Sequence, residues 1–94
     1  MADLAEVIDR PERSRFELLV DGHIAFAAYR RDGDALALTH TIVPQALAGQ
    51  GIGTKLIGGV LKQVRARGER IVPECSFVVA YLAKHPEERD LLAA

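Results

Sequence analysis

The stretch Ala48–Leu56, AGQGIGTKL, decides how this chain is read. It places three glycines, Gly49, Gly51 and Gly53, directly ahead of a segment with helical periodicity. Ile52, Leu56, Ile57, Val60, Leu61 and Val64 fall on one helical stripe, Lys55, Lys62, Gln63 and Arg65 face away, and Gly68 stands where a helix would stop. Held glycine costs backbone entropy, so a cluster at a helix start points to a need for bare backbone. The first turn of a helix has unpaired N–H groups and partial positive charge, which suits an anion such as phosphate. A tight turn with close helix–sheet packing would use the same glycines.

Upstream of the loop the period is two. Ser14–Val20 carries Phe16, Leu18 and Val20 on one parity, and His23–Arg30 carries Ile24, Phe26 and Ala28 on one parity. Asp21-Gly22 and Asp32-Gly33 break these runs, and Asp-Gly favours tight reversals with positive φ, so antiparallel neighbours are expected. A third run, Ala35–Val43, completes a meander. Leu4–Asp9 is a candidate edge strand, ended by Arg10-Pro11. Downstream of the helix, Arg70–Pro73 reads as a short strand and Ser76–Lys84 as a second helix stopped by His85-Pro86, leaving PEERDLLAA as a helical or frayed tail. The order is β, β, β, α, β, α, an α+β fold in which a mostly antiparallel β-meander is followed by α-β-α, all within one small domain spanning residues 1–94.

Composition bounds the function. With 94 residues the chain holds a single core, and 49% hydrophobic with 27% charged residues is ordinary for a globular domain. The net charge of −1 supplies no global positive field for nucleic acid. No apolar run approaches the roughly 18 residues of a membrane span, and no basic-then-apolar leader is visible, so a cytoplasmic protein without a membrane partner is expected. A single cysteine, Cys75, excludes an internal disulfide and a cysteine-based zinc site, and no metal is expected.

Spacing separates three phosphate-loop readings. A P-loop needs Gly-x-x-x-x-Gly-Lys-Ser/Thr, whereas here Thr54 precedes Lys55. The dinucleotide fingerprint Gly-x-Gly-x-x-Gly fails because the last position is Thr54 or Leu56, and because a meander, not a βαβ unit, surrounds it. A pyrophosphate loop between an antiparallel strand and a helix, as used for coenzyme A, remains.

The run THTIVPQALAGQGIGTKLIGGVLKQVRARG resembles motif A of the GNAT N-acetyltransferase superfamily: a strand ending in apolar-Val-Pro, a short loop, Gly-x-Gly-x-Gly and an amphipathic helix. IVPECSFVVAYLAKHPE and the short length resemble its small single-domain branch, and the two stretches cover most of residues 36–90. In one departure, Ala48 stands where many members carry Arg or Gln, and Gln50 lies inside the loop. The resemblance implies a GNAT-like (acyl-CoA N-acyltransferase) fold, with the amides of Gly49, Gln50, Gly51, Gly53 and Thr54 holding the coenzyme A pyrophosphate. It also implies that the backbone of Ile42 and Val43 pairs with the pantetheine arm, near a splay where a main-chain N–H polarises the thioester. Lys55 and Lys62 are either partners of the outer phosphates or solvated surface lysines.

Two side chains are candidates for catalysis. Cys75, at the start of the second helix, is a nucleophile whose pKa the helix dipole lowers, a small buried apolar residue, or a neighbour of the coenzyme sulfur. His40 shares sequence parity with Leu36, Leu38 and Ile42, which suggests a core histidine. Its other reading is a general base, since histidine is the side chain suited to taking a proton from an ammonium or thiol near neutrality. Tyr81 is a weaker candidate for protonating a leaving thiolate, since four-residue spacing from Phe77 suits packing. The leading expectation is acetyl-CoA-dependent N-acetyl transfer to an amine, a protein lysine or small amine, directly or through acetyl-Cys75. A coenzyme A binding module without efficient turnover is the alternative, and a structural domain whose glycines only turn is a third. The expected partners are coenzyme A and an amine acceptor, with the chain a monomer or weak homodimer.

Overall fold

The computed structural model describes residues 6–93. Five strands form one sheet in sequence order: β1 (Val7–Arg10), β2 (Arg15–Val20), β3 (His23–Asp32), β4 (Ala35–Ile42) and β5 (Arg70–Pro73). The first four are antiparallel, and β5 runs parallel to β4 after the crossover helix α1 (Ile52–Ala66). Helix α2 (Ser76–Lys84) follows, then a 3-10 segment, Pro86–Leu91. The expected edge strand is present as β1, although Leu4 and Ala5 of that expectation lie outside the described residues. β2 begins one residue later than Ser14, because Ser14 adopts a left-handed φ of 53° that no strand accommodates.

Local chemistry explains the two hairpins. Asp21 and Gly22 both have positive φ, 52° and 79°, so the β2–β3 reversal has the primed geometry that matches strand twist. The second reversal shifts by one residue from expectation: Asp32 still belongs to β3, and Gly33-Asp34 makes the turn.

The core lies on one face of the sheet. The six stripe residues of α1 are all buried there, each contributing about 1.5–3 kcal/mol of transfer free energy. Facing them are Phe16 and Leu18 of β2, Ala25, Ala27 and Tyr29 of β3, and Leu36 and Leu38 of β4. In β3 it is thus the small parity that faces the helices, whereas Ile24, Phe26 and Ala28 point to the other side. Gly59 packs directly on Val7, so α1 sits close over β1, where the Gln63 side-chain amide also donates to the Val7 carbonyl. Leu92 bridges Ile71 in parallel and the Ala93 N–H donates to the Ile71 carbonyl at 2.9 Å, closing the outer edge of β5. Arg65 anchors that tail through Glu88 and Asp90.

One core hydroxyl makes stability depend on alkali. Tyr29 donates to Asp9 at 2.7 Å, and Asp9 also pairs with Arg67 at 2.9 Å. Burial first, and then the hydrogen bond to Asp9 and its charge, push the Tyr29 hydroxyl from 10.0 up to about 12. A group raised in the fold contributes fully below its unfolded pKa and loses that contribution as pH climbs through its folded value. Stability is therefore expected to decline between pH 10.0 and about 12, measured by urea unfolding across that range. In Tyr29→Phe that component of the decline should vanish; an unchanged slope would show that other groups cause it.

The largest departure from sequence expectation is in β4. Ala28 pairs with His40, yet Tyr29 pairs with Leu38, so Thr39 is an extra residue forming a β-bulge. Its hydroxyl donates to the Ala28 carbonyl at 3.3 Å. The bulge inverts the side-chain parity beyond it, since register has a period of two. Leu36 and Leu38 face the helices, but His40 and Ile42 face the other side and are exposed. The core-histidine expectation is overturned for that reason.

Candidate functional site

Strands β4 and β5 part at one side of the sheet, where β5 is the edge strand. Their pairing runs from Ala35↔Arg70 to Leu38↔Pro73 and ends with the Glu74 N–H donating to the Leu38 carbonyl at 3.0 Å. Pro73 offers no N–H, and Cys75 then opens α2, so β5 stops while β4 continues through Ile42. Glu74 is held by Arg30 through two contacts of 2.8 and 3.3 Å. Beyond the Thr39 bulge, His40–Ile42 consequently pair with β3 alone and leave a slot on the β5 side.

Two helix N-termini converge beside that slot. Gly53 in the first turn of α1 lies against the Phe77 ring in the first turn of α2, and Gly58 approaches the Tyr81 hydroxyl one turn on. The helices therefore run side by side in the same sense. α1 starts at Gly51 with φ 71°, no side-chain cap and no acidic residue in its first turn. Its first N–H bonded back into the chain is that of Lys55, to the Gly51 carbonyl; among the described residues no polypeptide acceptor is found for the amides of Gly51 to Thr54, while Ala48 and Gly49 form a turn just ahead of them. Gly49 and Gly51 have φ of 79° and 71°, with open space where a side chain would begin. Such positive φ favours glycine, and Gly49, Gln50, Gly51 and Thr54 are exposed at this helix start, as the polar demand of a diphosphate requires, whereas Gly53 is buried against Phe77. Gln50 and Thr54 are exposed on the same loop and turn, while Val43 packs half-buried against the core.

Cys75 is the side chain that joins these parts. It is the N-cap residue of α2, half-buried, and its sulfur lies 3.3 Å from the Thr41 hydroxyl of β4. Burial alone would raise the thiol pKa, but the Thr41 hydroxyl, the amides of Val78 and Phe77, and the Thr41 amide together outweigh it and lower it. The helix contributes as a source of partial positive charge, not through a cap hydrogen bond of ordinary geometry. Thr41 was not singled out from the sequence; only the β4 bulge, which aims it at α2, reveals it. We expect Thr41→Val to move the alkylation-rate inflection of Cys75 to higher pH and Thr41→Ser to leave it nearly in place. Equal inflections in all three proteins would assign Thr41 to packing alone.

His40 lies on the opposite face of the same strand segment, exposed, with its Nδ1 3.1 Å from the Thr39 hydroxyl. The fold thus brings Cys75 and the glycine loop together on the helix side, while His40 addresses the other side of β4. Lys55 and Lys62 line a groove of about 460 Å³ between α1 and β1, on the flank away from α2. A smaller groove of about 120 Å³ between the two helices is lined by Thr54, Phe77, Tyr81, Lys84 and His85. Lys84 is thus a cation on the α2 flank of the α1 tip that sequence spacing did not single out. Tyr81 is half-buried and stacks on His85 with ring centroids 4.0 Å apart, and burial raises its hydroxyl pKa.

A family model described as GCN5-related N-acetyl-transferase matches residues 15–91. The chain also superimposes on the solution structure of a GCN5-like protein from Staphylococcus aureus with a TM-score of 0.71 and 28% identity, covering 95% of this chain and 88% of that one. Among the described residues, no helix is long and apolar enough to cross a membrane.

Proposed function

From the premise that the chain belongs to the GCN5-related N-acetyltransferase family, we propose that it is an acetyl-CoA-dependent enzyme in which Cys75 carries the acetyl group to an amine. The observation that supports this most directly is the meeting of three features: unclaimed amides at the tip of α1, the slot beside His40–Ile42, and a thiol with lowered pKa between them. The amides of Gly49, Gln50, Gly51, Gly53 and Thr54 bind the pyrophosphate. The backbone of Ile42 and Val43 guides the pantetheine arm toward the slot. The Cys75 thiolate adds to the thioester carbonyl, the coenzyme leaves as its own thiolate, and a new thioester joins the acetyl group to Cys75. The amine loses its proton to His40 and attacks that thioester from the helix-free side; the C–N bond forms, the C–S bond breaks and the Cys75 thiolate returns. With the cosubstrate and His40 on opposite faces of β4, acceptor and coenzyme need not share one entrance. The acceptor is a protein lysine or a small polyamine, and the cytoplasm is where acetyl-CoA would supply it.

Titration of isotopically labelled protein with coenzyme A tests the binding half. Amide shifts are expected at Ile42, Val43, Gly49, Gly51 and Gly53; an unperturbed loop would sink the assignment. Binding without acetylation of any amine in a panel would instead indicate a coenzyme A binding module.

A further inference from the structure

The sheet has a second face that neither helix of the described chain covers. Register places its outward side chains in rows. Leu19 pairs with Ile24; Ile8, Glu17, Phe26 and Ile42 line up across four strands; and Arg10, Arg15, Ala28 and His40 form the next row. Ile8, Leu19, Ile24 and Ile42 are 46%, 60%, 39% and 47% exposed, so the first two rows make an apolar band interrupted only by the buried Glu17. The basic row beside it is reinforced by Arg13. Arg10, Arg13 and Arg15 all converge on the buried carboxylate of Glu17, at 3.5, 2.9 and 2.7 Å. Arg15 also lies 4.2 Å above the Phe26 ring, rigidifying the boundary between the bands. Three guanidiniums sharing one carboxylate leave this edge positive, although the chain as a whole carries −1. An uncovered apolar sheet face is stabilised by packing a second layer on it, and a contiguous apolar patch on a small domain marks an interaction surface.

We propose that this face docks an acidic amphipathic helix of a partner protein, with its apolar stripe on Leu19, Ile24, Phe26 and Ile8 and its carboxylates on Arg10, Arg13 and Arg15. The inference goes beyond acetyl transfer and does not depend on it. Charge complementarity selects the occupant. A second copy of this chain would present its own arginines, and two carboxylates of this region, Glu17 and Glu74, are already paired with its arginines. A helix fits better than a strand because β2 and β3 are interior to the sheet and offer no free edge.

The test uses the intact protein and two synthetic helical peptides with leucines at i, i+3, i+4 and i+7, one flanked by glutamates and the other by lysines. The glutamate peptide should shift the amides of Leu19, Ile24, Phe26 and Ile8 saturably, with ~10-fold or greater preference over the lysine peptide, and the preference should shrink with salt. Leu19→Asp with Ile24→Asp, both at exposed positions, should abolish the shifts while thermal unfolding is unchanged; Arg13→Gln should weaken them. Equal shifts with both peptides, no shift with either, dimerisation through these residues, or binding only to anionic lipid vesicles would each overturn the proposal.

Discussion

Incubated with acetyl-CoA and separated from it, the protein should carry one acetyl group on Cys75, and Cys75→Ser should lose both the adduct and about 100-fold or more of amine acetylation. The expected size of this loss follows from the site. A serine hydroxyl in place of the sulfur would still meet Thr41 and the first turn of α2, but it is not ionised near neutral pH, whereas the hydrogen bonds around Cys75 outweigh its burial and favour the thiolate. Intact-protein mass spectrometry reads the adduct, and a coupled free-thiol assay reads turnover. If Cys75→Ser turned over at the rate of the parent protein, the amine would have to attack the cosubstrate directly, with His40 retaining its role as base. Replacing His40 with Gln would then separate the two routes. A covalent route predicts that the acetyl-Cys75 adduct accumulates in His40→Gln, whereas direct attack predicts slow turnover with no adduct.

The second large effect is expected at Gly53. A Cβ added there would lie 2.6 Å from the Phe77 Cζ, far inside contact distance, so the ring must move. Phe77 is 38% exposed, and solvent on its outer side lets the ring swing away without collapsing the core. Alanine also has the higher helix propensity, by about 1 kcal/mol, which offsets part of the strain. Gly53→Ala should therefore leave the unfolding temperature within a few degrees of the parent while weakening coenzyme A by ~10-fold or more, about 1.4 kcal/mol. The displaced ring would be driven toward the groove lined by Thr54 and Tyr81, and the new methyl would crowd the donor tip of α1. Calorimetric titration alongside thermal melts separates affinity from stability. A large loss of stability with unchanged affinity would reassign Gly53 to helix packing.

Much of the fold was legible because the relevant signals are local. The stripe from Ile52 to Val64 announced α1 through its period, Asp21-Gly22 announced its turn through the positive φ it tolerates, and the bounds of β5 and α2 were set by Pro73 and His85-Pro86. The glycine loop was legible for the same reason. Thr39 was not: threonine is an ordinary strand residue, and nothing local tells that it is squeezed out of register. Every inference drawn from parity in β4 beyond that point was thus inverted, His40 foremost. Thr41 as the neighbour of Cys75 and the three arginines around Glu17 were equally invisible, since each arises from strands and helices distant in sequence meeting in space. The resemblance to motif A located the loop, but it carried no information about which face of β4 each side chain addresses.

The extra residue in β4 makes that strand a partition wall. With Thr39 in place, the imidazole of His40 and the thiol of Cys75 lie on opposite sides of a single layer of backbone, so in the proposed reaction the acceptor would approach across that thickness. Deleting Thr39 would turn His40 toward the hydrocarbon interior and Thr41 toward water, uncoupling the two sides without altering a single reactive group.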